Sequence, residues 1–216
     1  SLHNPNNISS ESAPVGVQIE REAIEELTRM IGFPAQAPGH FTSCGSIANF
    51  EAALRARDRI PDWQKLRPVI LAPANKHYSW VKAAHLLGLG FDSVKTVNLD
   101  RNAVLDVTDL ERKIEDCRAE GRPVAMVVSV LGTTELGNFD PVDQVQDFVD
   151  RYRESSGIDL WHHVDGAYGG FFLSLRNSPV QVFSPRAHAA LSAVGRVNSF
   201  TIDPHKLGYV PYACGA

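Results

Sequence analysis

Cysteine is scarce in this 216-residue chain: Cys44, Cys117 and Cys214 are odd in number and stand far apart. That spacing argues against a disulfide framework and a zinc knuckle, and it predicts a protein of the reducing cytoplasm. Basic charge is not in excess either. With 21 Lys and Arg against 25 Asp and Glu, the formal net charge is −4, which leaves no electrostatic footprint for nucleic acid. Long apolar runs are missing: the longest, around Val124–Leu131, falls far short of the roughly 20 residues that cross a bilayer. No basic-then-apolar leader opens the sequence, so no membrane partner is expected. Nucleotide signatures are lacking as well, with no Gly-x-Gly-x-x-Gly and no phosphate loop ending in Gly-Lys-Ser/Thr. Among the histidines, adjacent His162 and His163 would face opposite sides of a strand, and His77 and His85 do not share one helical face pair. No metal site is predicted.

What is present is a chain 44% hydrophobic, enough to bury one substantial core. Val69–Ala72, Val94–Leu99, Val124–Val130, Ile158–Val164 and Val197–Ile202 have strand character. Between them Ile19–Ile31, Ser46–Arg57, Ser79–Leu87, Thr108–Arg118 and Pro141–Arg153 have helical spacing. The alternation predicts an α/β fold, a mainly parallel sheet flanked by helices. Thr108-Asp109-Leu110-Glu111 fits a capping box, and Asp140-Pro141 fits an N-cap followed by proline in the first turn. Val145, Phe148, Val149 and Tyr152 form the expected inner stripe of the last helix, and Gly157 its stop. The polar opening, His3–Pro14, reads as a loop or arm. Leu207–Ala216 is apolar with strand character and stops without a cap or polar tail.

Three segments carry chemistry. Asp203-Pro204-His205-Lys206 supplies an amine, which forms a Schiff base with an aldehyde only when neutral and so needs a desolvated or cation-adjacent site. Lys206 is followed by Leu207, Gly208, Tyr209 and Val210, and its closest acidic residue is Asp203. Asp165 closes the apolar run Ile158–Val164 and precedes small residues, which puts a carboxylate where open α/β sheets bind ligands. Its local pattern also fits a turn or N-cap aspartate. Gly39–Ser46 leads into a helix with small and hydroxylated residues, which frees backbone N–H groups for an anion at the positive end of the dipole, although a plain cap gives the same pattern.

Thr42-Ser43-Cys44-Gly45-Ser46-Ile47-Ala48-Asn49, Lys76-His77-Tyr78-Ser79-Trp80, Leu131-Gly132-Thr133-Thr134-Glu135, His163–Gly170 and Asp203–Lys206 stand in the order found in one enzyme family. In these motifs the chain resembles the group II pyridoxal 5'-phosphate (PLP) amino-acid decarboxylases. The opening segment, Lys76–Trp80 and Asp203–Tyr212 look most like their bacterial tyrosine-decarboxylase branch. The resemblance implies the large domain of the PLP-dependent aminotransferase class, fold type I, over residues 16–216 after an arm at 1–15. It also implies an incomplete large domain whose C-terminal small domain is absent, and a homodimer in the complete enzyme.

The implied activity is decarboxylation of an L-amino acid, tyrosine-like in the narrower match, to its amine and CO2. The alternatives are a carbon–carbon lyase of the same fold, or a PLP-domain fragment without turnover. By the same resemblance Lys206 holds PLP, Asp165 keeps the pyridine nitrogen protonated, and His77 stacks on the ring and serves proton transfer. Cys44, Gly45, Ser46 and His205 hold the phosphate; Thr134 and Ala167 contact the cofactor. Cys44 departs from the glycine or serine of many relatives, and Asp203 would repel a phosphate unless turned away.

Overall fold

The computed structural model describes residues 7–216. In chain order its elements are α1 (Pro14–Ile31), α2 (Gly45–Asp58), α3 (Trp63–Leu66), β1 (Val69–Pro73), α4 (Ser79–Leu86), β2 (Val94–Val97), α5 (Val107–Ala119), β3 (Val124–Val130), α6 (Val142–Ser156), β4 (His162–Gly166), α7 (Pro185–Ala193) and β5 (Ser199–Ile202). A 3-10 stretch, Gly169–Leu175, follows β4.

The strands pair in parallel in the order β2-β1-β3-β4-β5. Parallel strands need helical crossovers, and these cover both faces, so the strands read as continuous apolar runs. Side chains still alternate along each strand. Ile70 and Ala72 join Met126 and Val128 against α2 and α4, where Ala52, Ala53, Ala56, Trp80 and Ala84 are buried. Val69, Leu71 and Val127 face the other way, against Leu110 and Ile114 of α5 and Val145, Phe148 and Val149 of α6. Ile70 and Leu71 are fully buried, each contributing roughly 2 kcal/mol of transfer free energy. The small alanine face of α2 brings that helix close to the sheet, which fixes where its N-terminus points.

Element limits depart from the sequence expectation where a backbone partner is missing. Residues 158–161 precede β4 as coil, β2 stops at Val97, and β5 starts at Ser199. Helix α1 starts at Pro14, where the ring presets the helical φ, and so takes up residues expected to lie in a loop. Residues 7–13 form turns, and the rest of the expected arm lies outside the described residues.

The capping box at Thr108 does not form. Asp106 caps α5 instead, its carboxylate accepting from the Thr108 and Asp109 amides at 2.9 and 3.4 Å, because an ionised acceptor is favoured at the helix dipole's positive end. Asp109 is drawn away to the Asn98 amide, 2.8 Å distant, and to Arg112. Asp140 is not an N-cap either: fully buried, it accepts from the amides of Leu105 and Val130 at 2.8 and 2.7 Å, and Pro141 takes the cap position. The buried carboxylate thus satisfies two backbone donors, one of them at the last residue of β3. The stripe Val145, Phe148, Val149 and Tyr152 is buried, and Gly157 ends α6 in the left-handed region.

Leu207–Ala216 forms no strand. Pro204–Gly208 is a turn, closed by Lys206 N–H to Asp203 O at 3.0 Å and Val210 N–H to Pro204 O at 3.1 Å. Only Gly215 makes a bridge, antiparallel to Thr42, while Ala216 pairs with Ile202. Pro211 has no N–H for a ladder, which keeps this apolar segment irregular. Among the described residues no helix is long and apolar enough to cross a membrane.

Candidate active site

The strand order reverses direction between β1 and β3, and open α/β sheets bind ligands outside the carboxyl ends of strands at such a switch point. A cleft of about 280 Å3 lies there. Its walls come from the segments after β1 (Asn75, His77), after β3 (Gly132, Thr134), the end of β4 (Asp165, Ala167), the turn after β5 (Asp203, His205, Lys206) and the N-terminus of α2 (Cys44, Gly45, Ser46). All nine residues singled out in the sequence line this one cleft.

Glycine is required where walls meet. Gly132 has φ +90, and a Cβ there would stand 2.8 Å from the Gly169 nitrogen, so the loops after β3 and β4 touch backbone to backbone. A Cβ on Gly45 would lie 2.8 Å from Asp203 Oδ2 and 3.0 Å from the Ala167 Cβ. The N-terminus of α2 therefore sits directly against the floor of the cleft.

Asp165 is buried, and its Oδ2 accepts from Asn49 Nδ2 at 2.8 Å and Trp80 Nε1 at 3.1 Å, its Oδ1 from the Ala167 amide at 3.2 Å. These three donors fix the orientation of the carboxylate and leave it an acceptor only. His77 is half-buried, with Nδ1 2.9 Å from Ser79 Oγ. Burial lowers its basicity; Asp165 and Asp203 oppose that shift, and Lys206 and Lys82 add to it.

Lys206 does not sit in a desolvated apolar turn. Its side chain is 37% exposed, and Nζ pairs with Asp203 Oδ2 at 2.9 Å. The apolar residues that follow Lys206 leave its amine uncovered: Tyr209 is 89% and Tyr212 80% exposed. Asp203 thus faces Lys206 and Gly45 from a fully buried position.

Three donors converge on the α2 end of the cleft. The Gly45 and Ser46 amides, at the first turn of a helix whose Cys44 makes no side-chain cap, donate to no protein partner among the described residues. His205 Nδ1 accepts from the Cys214 amide at 3.0 Å, so its ring hydrogen sits on Nε2; Nε2 is buried without a hydrogen bond, 3.6 Å from Asp203 Oδ2, so Asp203 is not turned away from this end of the cleft. Cys44 has φ −174 and ψ 166, extended backbone that any residue adopts. Thr134 is exposed at the rim.

Asn49, Ser79 and Trp80 were not singled out as site residues, although two quoted motifs contain them. Their signal was periodicity: Asn49 falls four residues into a helix that starts at Gly45, on the face that meets the sheet. The other described histidines are occupied elsewhere. His85 stacks on Phe91, His162 lies between Ser129 and Gln146, and His163 bonds Ser199. Among the described residues no cluster of His, Cys, Asp and Glu has the arrangement of a metal site.

The family model for the pyridoxal-dependent decarboxylase conserved domain matches residues 2–216. The L-tyrosine decarboxylase of Levilactobacillus brevis is 30% identical over 288 aligned positions, a match that takes in 99% of this chain and 46% of that enzyme. The cysteine sulfinic acid decarboxylase of Rattus norvegicus is 36% identical over 221 positions, covering 99% of this chain and 41% of the relative. In structure, mouse CSAD superposes with a TM-score of 0.84 at 34% identity, over 98% of this chain and 42% of that one. The chain thus spans less than half the length of these relatives.

Proposed function

The chain belongs to the pyridoxal-dependent decarboxylase family, and from that premise we propose that it carries the cofactor-binding large domain, residues 16–216, of an enzyme that decarboxylates an L-amino acid to its amine and CO2. The observation that carries the reading is the single cleft that holds a buried, acceptor-only carboxylate (Asp165), an amine (Lys206) and an open helix N-terminus with a spare buried donor (His205).

The donor set fits PLP. The amides of Gly45 and Ser46 beside Cys44, together with His205 Nε2, suit a phosphate, aided by the dipole of α2. Asp165 suits the pyridine nitrogen: opposite charges at about 4 Å with an effective dielectric near 20 attract by about 4 kcal/mol, so Asp165 would keep a proton on that nitrogen. His77 and Ala167 would pack against the ring, Thr134 would contact it from the rim, and Lys206 would be the amine for covalent attachment. Bound PLP supplies an electron sink for the bond that breaks at the substrate's Cα.

The protein residues set when that sink is used. Asp203 pairs with the Lys206 amine at 2.9 Å, and an amine acts as a nucleophile only in its neutral form. Tyr78, Tyr168 and Tyr212 rim the cleft with exposed rings, an apolar border suited to a side chain such as that of tyrosine. A second reading, an acidic side chain, is favoured by the alignment to cysteine sulfinic acid decarboxylase, which runs over 221 positions and so nearly without gaps.

We further read the complete protein as a cytoplasmic homodimer, supported by the unpaired cysteines and the exposed apolar residues Tyr209, Val210 and Tyr212 beside the cleft. Titration with PLP, borohydride reduction and measurement of CO2 release from L-tyrosine, L-cysteine sulfinate and L-2,4-diaminobutyrate test the proposal. Absence of a borohydride-fixed cofactor overturns it, and aldehyde release in place of CO2 points to a carbon–carbon lyase.

A further inference from the structure

Four polar side chains run in sequence from the floor of the cleft to its wall: Asp165, Asn49, Ser79 and His77. Asp165 Oδ2 is 2.8 Å from Asn49 Nδ2, the same Nδ2 is 3.1 Å from Ser79 Oγ, and Ser79 Oγ is 2.9 Å from His77 Nδ1. The direction of each bond follows from the first. An ionised carboxylate only accepts, so the Asn49 amide must turn its NH2 toward Asp165. That nitrogen has no lone pair to offer, so Ser79 Oγ accepts the second hydrogen. The hydroxyl hydrogen of Ser79 is then free for His77 Nδ1, and the Ser79 backbone N–H points at the same atom from 3.3 Å.

We propose that Asn49 and Ser79 form a one-way relay from Asp165 that holds His77 as the tautomer with its hydrogen on Nε2, so that the ring offers the cleft a donor and no acceptor. A hydrogen on Nδ1 would meet the Ser79 backbone N–H head-on and would leave the buried Ser79 hydroxyl hydrogen with no other acceptor among the described residues. Nε2 has no protein partner among the described residues, so its N–H is available to a ligand. Burial lowers the basicity of His77, in keeping with a neutral ring. The groups that face it are Asp165 and Asp203, which favour protonation, and Lys206 and Lys82, which oppose it.

A neutral N–H donor pairs with a carboxylate oxygen and cannot accept from an ammonium group. On the decarboxylase reading, which supplies only the identity of the ligand, His77 therefore selects the carboxylate of the amino acid. Ser79 and Asn49 are positioning residues that act through it.

The test is histidine tautomer assignment by two-bond 1H–15N correlation in the 15N-histidine-labelled full chain, with His77 identified by the loss of its signals in His77→Gln. The wild type is expected to show the Nε2–H pattern. Ser79→Ala is expected to bring in a Nδ1–H population and, with PLP bound, to lower kcat about tenfold, the value of one hydrogen bond of about 1.4 kcal/mol, while PLP affinity stays within about twofold. Ser79→Thr, which keeps the hydroxyl, restores both signatures. A Nδ1–H pattern in the wild type overturns the relay, as does an unchanged tautomer spectrum in Ser79→Ala. The wild-type spectrum decides even if the alanine variant fails to fold. An Nε2–H pattern in this chain, together with no CO2 release from any amino acid by the complete enzyme, upholds the relay and removes the decarboxylase reading.

Discussion

Asn49 and Asp165 are 116 positions apart in the chain, and the amide of one meets the carboxylate of the other at 2.8 Å. The bond ties the first turns of α2 to the end of β4. It links the open helix N-terminus to the carboxylate through one rigid side chain, so the two ends of the cleft keep a fixed separation. Asn49, Trp80 and the Ala167 amide all donate to the Asp165 carboxylate and hold it facing the cleft.

Asp165→Asn is expected to keep PLP binding while reducing kcat about a thousandfold or more, because several kcal/mol of charge stabilisation disappear from the reacting state. Comparing kcat and PLP affinity in the wild type and the variant of the complete enzyme checks it. A loss smaller than about tenfold would mean that this residue does not hold the ring nitrogen's proton.

Lys206→Ala is expected to abolish both borohydride fixation of PLP and turnover. It also strips Asp203, which is fully buried, of its closest cation. Because the lysine is itself 37% exposed, solvent screens the pair, and the accompanying loss of stability should be only about 1 kcal/mol. Mass spectrometry of the reduced protein reads the first effect and urea denaturation the second. A cofactor-labelled peptide containing Lys76 or Lys82 would reassign the nucleophile.

The legible part of this fold was what local pattern dictates. The apolar runs of β1, β3 and β4 and the buried stripe of α6 show in the sequence because burial on both faces of a sheet, or on one face of a helix, leaves periodic traces. The nine motif residues line one cleft. What the sequence hid is contact across the chain. Asp140 resembles an N-cap until its partners, Leu105 and Val130, are seen. The apolar run after Lys206 suggested desolvation, yet the turn leaves Tyr209 and Tyr212 in solvent and hands the lysine to Asp203. Asn49 looks like an ordinary helical residue because its role depends on a strand that comes more than a hundred residues later.

Cys44→Gly is expected to change PLP affinity by no more than about twofold. The backbone at Cys44 is extended, with φ −174 and ψ 166, so the side chain causes no strain there for glycine to relieve. The helix N-terminus offers its amides irrespective of the thiol. Equilibrium titration of both proteins with PLP decides the point; a tenfold weaker glycine variant would show that the sulfur itself takes part.

The protein should lose stability on acidification from neutral pH, because His162 and His163 are buried and held neutral, each pushed down to about 3 by burial. Their hydrogen bonds agree. His162 Nδ1 faces Gln146 Oε1 at 2.8 Å and its Nε2 faces Ser129 Oγ at 2.9 Å, while His163 Nδ1 faces Ser199 Oγ, which already accepts from Trp161 Nε1. An unfolded histidine takes up a proton near pH 6.5. From that pH downward the unfolded chain binds protons that the folded chain refuses, and the stability present above 6.5 drains away as pH falls toward 3. Asp140 works in the opposite sense. Burial raises its carboxyl from 3.8 to about 6, so between those values the folded state binds the extra proton and recovers some stability. Two histidines against one aspartate leave a net of one proton in favour of unfolding, or about 1.4 kcal/mol per pH unit between roughly pH 6 and pH 4. Urea midpoints measured from about pH 7.5 to pH 4.5 should therefore fall steadily. His162→Gln, which retains a polar group between Ser129 and Gln146, should flatten that slope even if it lowers the midpoint at neutral pH. A wild-type midpoint that stays level across this range would show that the two rings are not kept neutral.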